Sequence, residues 1–161
     1  MKTLLLMRHA KSSWDDESLA DFDRPLAGRG KRDAPRMGKL LVGLELAPDL
    51  IVASTARRAA KTAELVAQAL SYEGRIHLTD ELYHASAETY VELARQTEPT
   101  VGTLLMVGHN PGVEEAIDLL CGIADMMPTG AIACLRLPID DWKLVAEDEN
   151  ELQEIWRPKE L

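Results

Sequence analysis

A short apolar run that stops on polar residues and gives way to a helical pattern occurs three times in this chain, and no other feature limits its fold as much. The first run is Leu4-Leu5-Leu6-Met7, which ends on Arg8-His9. The second is Leu50-Ile51-Val52-Ala53, which ends on Ser54, and the third is Thr103-Leu104-Leu105-Met106-Val107, which breaks on Gly108-His109-Asn110-Pro111-Gly112. Runs of this kind read as strands buried on both faces. In open α/β sheets, ligands bind outside the carboxyl ends of such strands, so all three sets of polar residues are candidates for one site.

Helical patterns separate the runs. Ala34, Met37, Leu41 and Leu44 share one face, as do Ala59, Ala63, Val66 and Leu70, and later Val113, Ala116, Ile117 and Leu120. Pro35 is tolerated only in a first turn, so the first helix is expected to begin near Arg32 or Asp33. Ser54 stands where its hydroxyl can cap the second helix, on which Arg58 and Thr62, four apart, share a face. Arg75–Leu78 reads as a further strand, and Ser86 as the N-cap of a helix from Ala87 to Thr97 ahead of Pro99. Lys11–Ala27 lacks periodicity and reads as a loop pinned by Trp14 and Phe22. Ala131–Leu137 and Trp142–Ala146 are expected to close the sheet as a hairpin, with Glu147–Leu161 packing loosely. The alternation predicts an α/β three-layer sandwich: a mostly parallel sheet with helices on both faces, in a single domain over residues 1–161.

Charge narrows the partners. The net charge is −9, and Asp140–Leu161 holds eight acidic residues against Lys143, Arg157 and Lys159. With three Trp, three Tyr and one Phe in addition, the composition argues against a nucleic-acid surface. Arg24–Lys39 is locally basic, either a solvated helix face or a docking face for an acidic, phosphorylated partner. No apolar run has the length of a membrane span, and the first one is broken by Arg8 before a signal-peptide core is complete; a cytoplasmic location is expected. Cys121 and Cys134 lie in apolar segments and read as reduced thiols.

The polar residues at the strand ends are Arg8, His9, Ser12, Ser54, Arg58 and His109. Two guanidiniums and two imidazoles beside helix N-termini make an anion pocket, because forked arginine donors and free backbone N–H groups match phosphoryl oxygens. The acidic residues are not clustered with these histidines, so neither a metal nor another cofactor is expected. His77, inside a strand, reads as a core or edge residue, and His84 as a candidate for the lining of the pocket mouth.

Leu6-Met7-Arg8-His9-Ala10-Lys11-Ser12 resembles the Arg-His-Gly signature of the histidine phosphatase superfamily, which includes the cofactor-dependent phosphoglycerate mutases. Ser54-Thr55-Ala56-Arg57-Arg58-Ala59-Ala60-Lys61-Thr62 is similar to its second block, and Val107-Gly108-His109-Asn110-Pro111 to its late histidine block. The short chain, Asp23-Arg24-Pro25-Leu26 with Arg29-Gly30, and Glu81-Leu82-Tyr83-His84-Ala85 resemble the SixA-type phosphohistidine phosphatases. The resemblance implies a phosphoglycerate mutase-like fold and a nucleophilic His9 that carries a phosphohistidine intermediate. It also implies Arg8, Arg58, His109 and Ser12 as phosphate ligands. The position four residues after Ser54 selects Arg58 over Arg57, which reads as an exposed charge at the helix start. Ala10 stands where the wider family has Gly, which requires a negative φ there. Glu81 is the candidate general acid. The implied substrate is a phosphorylated protein, such as a histidine phosphotransfer domain, acted on without metal. The alternatives are a phosphatase of small phosphate esters or a mutase, and a non-catalytic phosphoprotein-binding module.

Overall fold

The computed structural model describes residues Met1–Leu161. In chain order the elements are β1 (Lys2–Arg8), α1 (Gly28–Gly43), β2 (Leu50–Ser54), α2 (Arg57–Leu70), β3 (Ile76–Thr79), α3 (Ala87–Arg95), β4 (Thr103–Gly108), α4 (Gly112–Cys121), β5 (Ile132–Leu137) and β6 (Glu151–Trp156). The three apolar runs lie side by side in one six-stranded sheet of order β3-β2-β4-β1-β5-β6. Strands β3, β2, β4 and β1 are mutually parallel, and β5 is antiparallel to both β1 and β6. The register pairs Leu4 with Leu104 and Arg8 with Gly108, so β1 and β4 end together.

Period-two alternation distributes these strands between two cores. Leu4, Leu6, Leu104 and Met106 are fully buried against Tyr90 of α3, Val113, Ile117 and Leu120 of α4, and Trp142. Leu5, Met7, Leu105 and Val107 are equally buried against Met37 and Leu41 of α1 and Ala63 and Val66 of α2. Both faces of the central strands are therefore covered, which is why the sequence runs are continuous rather than alternating. Truncating one of these leucines, for example Leu5→Ala, costs about 2–5 kcal/mol through lost burial and the cavity left behind.

Several expectations are corrected. Helix α1 starts at Gly28, about a turn earlier than Pro35 suggested, with Lys31 N–H donating to Ala27 O at 3.0 Å. Pro35 simply forfeits one bond to the Lys31 carbonyl inside an otherwise regular helix. Ser86 occupies the N-cap of α3 without a side-chain cap bond, and Ser54 does not cap α2, whose N-cap is Ala56. Helix α3 also stops at Arg95 rather than Thr97.

The closing hairpin partner is not Trp142–Ala146. Trp142–Leu144 is a 3-10 turn in which Trp142 is fully buried and donates its indole N–H to Val101 O at 2.7 Å, so its apolar signal marks an anchor. The strand beside β5 is β6, inside the segment expected to pack loosely, with Ile132 opposite Trp156. As a sheet edge it exposes its glutamates and buries Ile155, and charge on an edge discourages further strand pairing. Trp14 does not pin its loop, being 69% exposed. Both cysteines are free thiols, Cys134 buried and Cys121 half-buried. No helix is long and apolar enough to cross a membrane.

Candidate active site

The common end of β1 and β4 places the two histidines together. His9 N–H donates to Gly108 O at 2.9 Å, and the imidazole centroids of His9 and His109 are 5.1 Å apart. Strand β2 ends alongside on Ser54, and α2 begins three residues later with Arg58 buried in its first turn. Thr62 Oγ1 accepts from Ala10 N–H at 3.0 Å and donates to Arg58 O at 2.7 Å. The shared face of Arg58 and Thr62 thus fastens α2 to the residue after His9. Ala10 avoids the left-handed region, so the missing glycine costs nothing here.

Arg8, His9, Ser12, Arg58 and His109 line one cavity of about 200 Å³. A second cavity of about 380 Å³ shares Arg58, His109 and Asn110 and adds Asp21, Tyr83 and His84 at its mouth. Ser54 does not line either one; it supports His109 from behind, its Oγ lying 2.8 Å from Nε2 while accepting Ala56 N–H at 3.2 Å. A serine oxygen can accept a second bond as well as donate one, so Ser54 engages Nε2 in either tautomer of His109 and leaves Nδ1 as the ring nitrogen without that bond. That nitrogen is buried and has no partner within the protein, as is Arg8 Nε.

His9 is set up as a neutral imidazole. Its Nδ1 lies 2.7 Å from Ala10 O. A carbonyl can only accept, so Nδ1 holds the proton and the Nε2 lone pair is free. That lone pair accepts Arg58 Nε–H at 3.3 Å. Burial pushes the His9 pKa down to about 3, against the Ala10 carbonyl and with further help from His109, Arg58 and Arg8. Burial likewise pushes His109 down to about 4, with Arg58 adding to it. Burial also lowers the pKa of Arg8, which nonetheless keeps its charge because a guanidinium starts so high. Arg8 is held by Nη1 donating to Met127 O at 3.2 Å.

Four residues of this arrangement escaped the sequence reading as site residues: Asp21, Arg24, Tyr83 and Asn110. Asp21 accepts from Arg58 Nη2 at 3.0 Å, Arg24 Nη1 at 3.1 Å and Tyr83 OH at 2.6 Å. Its backbone carbonyl takes Arg58 Nη1 at 2.7 Å. The Tyr83 hydroxyl first, then Arg58 and Arg24, hold its carboxyl well below the usual range, and the same bond pushes the Tyr83 phenol up. Arg24 reaches Ser12 Oγ at 2.6 Å and stacks 3.2 Å over the Trp14 ring. Asn110 bonds Met127 O at 2.9 Å and Glu114 at 3.0 Å. These side chains lie in loops whose irregular sequence carries no periodic signal; the hints were the blocks Asp23-Arg24-Pro25-Leu26, Glu81-Leu82-Tyr83-His84-Ala85 and Val107-Gly108-His109-Asn110-Pro111.

Other candidates stand outside. Glu81 is exposed in a 3-10 turn, Asp80–Leu82, and lines neither cavity. His77 is exposed on the edge strand β3, and Arg57 is exposed with Nη1 on Asp23 O at 3.3 Å. No three of the chain's His, Cys, Asp or Glu side chains converge as a metal site.

The family model of the histidine phosphatase superfamily (branch 1) matches residues 4–104, a span that includes Arg8, His9 and Arg58. The chain belongs to this superfamily. His109 lies just beyond that span and joins the site through the pairing of β1 with β4. An uncharacterized chloroplastic protein of Arabidopsis thaliana is 34% identical over 88% of this chain and 69% of its own length. An uncharacterized protein of Mycobacterium tuberculosis is 36% identical over 81% of this chain and 87% of its own. Among solved structures, a SixA-type protein from Agrobacterium tumefaciens superposes with a TM-score of 0.82 at 31% identity, covering 98% of each chain. The protein histidine phosphatase SixA in complex with tungstate gives a TM-score of 0.85 at 23% identity, again covering 98% of each chain. The fold is therefore that of the phosphoglycerate mutase-like histidine phosphatases, and superfamily and neighbours together support a phosphatase.

Proposed function

We propose that this chain removes phosphoryl groups by transferring them to His9 Nε2 and then to water, and that its substrate is phosphohistidine in a protein. The observation that carries the reading is the state of His9: buried, neutral, its tautomer fixed by Ala10 O and its Nε2 lone pair aimed at Arg58. In the first step Nε2 attacks phosphorus, a nitrogen–phosphorus bond forms and the bond to the leaving group breaks. Arg8, Arg58 and His109 line the cavity in which the phosphoryl oxygens gain charge. Preorganised donors of this kind contribute about 3–4 kcal/mol each in comparable oxyanion sites. Ser12 supports the same pocket through Arg24. In the second step water attacks the phosphorylated His9 and phosphate leaves. In this reading the charge stabilisation comes from these side chains.

Two features favour phosphohistidine over an alkyl phosphate. The carboxyl that lines the larger cavity, Asp21, is locked as a carboxylate by Tyr83, Arg58 and Arg24, and Glu81 is outside, so no carboxylic acid stands ready for an alkoxide. An imidazole, once protonated, leaves more readily. The relation to the SixA-type protein of A. tumefaciens points the same way. A mutase would need that missing acid. A small-ester phosphatase is the second reading, favoured by the open second cavity at the mouth.

The test is phosphate release from a histidine-phosphorylated phosphotransfer protein in the presence of a chelator. Wild type is expected to release phosphate, and Arg58→Ala to lose about 10²–10³-fold. A folded wild type that releases phosphate from small esters but not from the phosphoprotein would overturn the substrate assignment.

A further inference from the structure

The titratable groups around the larger cavity leave one proton carrier without a task. His9 Nδ1 is spent on Ala10 O, and His109 Nε2 on Ser54. Tyr83 gives its hydroxyl proton to Asp21, and Asp21 is held as a carboxylate by three donors. Glu81 does not line the cavities. His84 remains: it lines the mouth of the larger cavity with Arg58 and His109, its ring 4.0 Å from that of Tyr83, and no hydrogen bond to another side chain restrains it. It is near enough to His109 for its charge to be felt there. Its backbone is in the left-handed region at φ 56°, an uncommon conformation for a residue with a Cβ. Such conformations persist where the surroundings enforce them and gather at functional sites. Here the turn of Tyr83-His84-Ala85 sets the imidazole at the mouth of the larger cavity.

We propose that His84 is the general acid that protonates the leaving group, and the base that accepts the proton of the attacking water. The inference builds on the phosphatase reading above. As His9 Nε2 bonds to phosphorus, the electron pair of the breaking bond passes to the leaving group and the His84 imidazolium supplies a proton. For an ester the proton goes to the bridging oxygen. For phosphohistidine it goes to the ring nitrogen that does not carry phosphorus, so neutral imidazole departs. His84 is left neutral. When water attacks phosphorylated His9, His84 takes the water proton, the bond from phosphorus to His9 breaks, and free phosphate leaves with both histidines restored.

The experiment compares kcat/KM of wild type and His84→Asn on 4-nitrophenyl phosphate, phenyl phosphate and a phosphohistidine peptide. Asparagine suits the left-handed backbone, so the turn is kept. The nitrophenolate leaves without a proton and kcat/KM reports the first transfer alone. The expected result is a change below about 3-fold on 4-nitrophenyl phosphate and a loss of about 10²-fold or more on phenyl phosphate and the peptide. Equal losses on all three, or none, would overturn the role of His84 while leaving the phosphatase intact. A folded wild type inactive on every one of them would overturn the phosphatase reading itself.

Discussion

Arg58 donates from Nε to the Nε2 lone pair of His9 at 3.3 Å while Asp21 holds both of its terminal nitrogens, one through its carboxylate at 3.0 Å and one through its backbone carbonyl at 2.7 Å. The guanidinium is thereby fixed in plane before any substrate arrives, and its position is decided by a loop residue rather than by the helix that carries it. Preorganisation of this kind means the donor need not reorganise when the phosphoryl group gains charge.

Asp21 is therefore a positioning residue. Asp21→Asn is expected to lower kcat/KM about 10-fold, and Arg58→Ala by 10²-fold or more. Combining them should cost no more than Arg58→Ala alone, because residues acting through one guanidinium are not additive. Steady-state kinetics on the four proteins of this cycle check it; full additivity would mean that Asp21 acts independently of Arg58.

The two buried imidazoles make the fold sensitive to acid. In the unfolded chain a histidine titrates near 6.5, whereas burial holds His9 at about 3 and His109 at about 4. Between those values the unfolded chain binds more protons than the folded one, so stability is unaffected by these groups above pH 6.5 and falls as pH drops below it. Each imidazole accounts for on the order of 1–2 kcal/mol lost between pH 7 and pH 5. Urea unfolding over that range should show the decline, and His9→Asn should flatten it; an unchanged slope in His9→Asn would count against a neutral buried His9.

Tyr90 positions His109 from below. Its hydroxyl accepts the His109 N–H at 3.2 Å and fills the space beside Gly108, where any Cβ would collide with it. Tyr90→Phe is expected to lower stability by about 1–3 kcal/mol, the cost of an orphaned buried donor. Gly108→Ala should cost a similar amount by overpacking, and less in the Tyr90→Phe background, where the hydroxyl is gone. Denaturant midpoints of the two single variants and the double decide it, and strictly additive costs would contradict the contact.

Much of this arrangement can be read from the chain because it depends on local rules. Leu4–Met7 and Leu104–Val107 are apolar on both faces, which dictates central strands, and the polar residues that follow them fall at one sheet edge by topology. Arg58 and Thr62 announce their shared face by spacing alone. Asp21, Arg24 and Tyr83 cannot be found this way, because they reach the site through loops whose paths are fixed by long-range contacts rather than periodicity. Trp142 and the strand Glu151–Trp156 mislead for a related reason. A buried tryptophan in a short turn looks like a strand residue, and an edge strand exposing its glutamates looks like a solvated tail.

The central claim is that His9 Nε2 takes the phosphoryl group. The most direct measurement is mass-spectrometric mapping of the protein quenched in alkali during turnover of a phosphorylated substrate, with wild type beside a His9→Asn variant shown to be folded by circular dichroism. The account predicts a phosphate on the peptide containing His9 in wild type, and neither phosphate nor turnover in His9→Asn. Turnover by wild type with no phosphate ever found on His9, or wild-type turnover by His9→Asn, would contradict it.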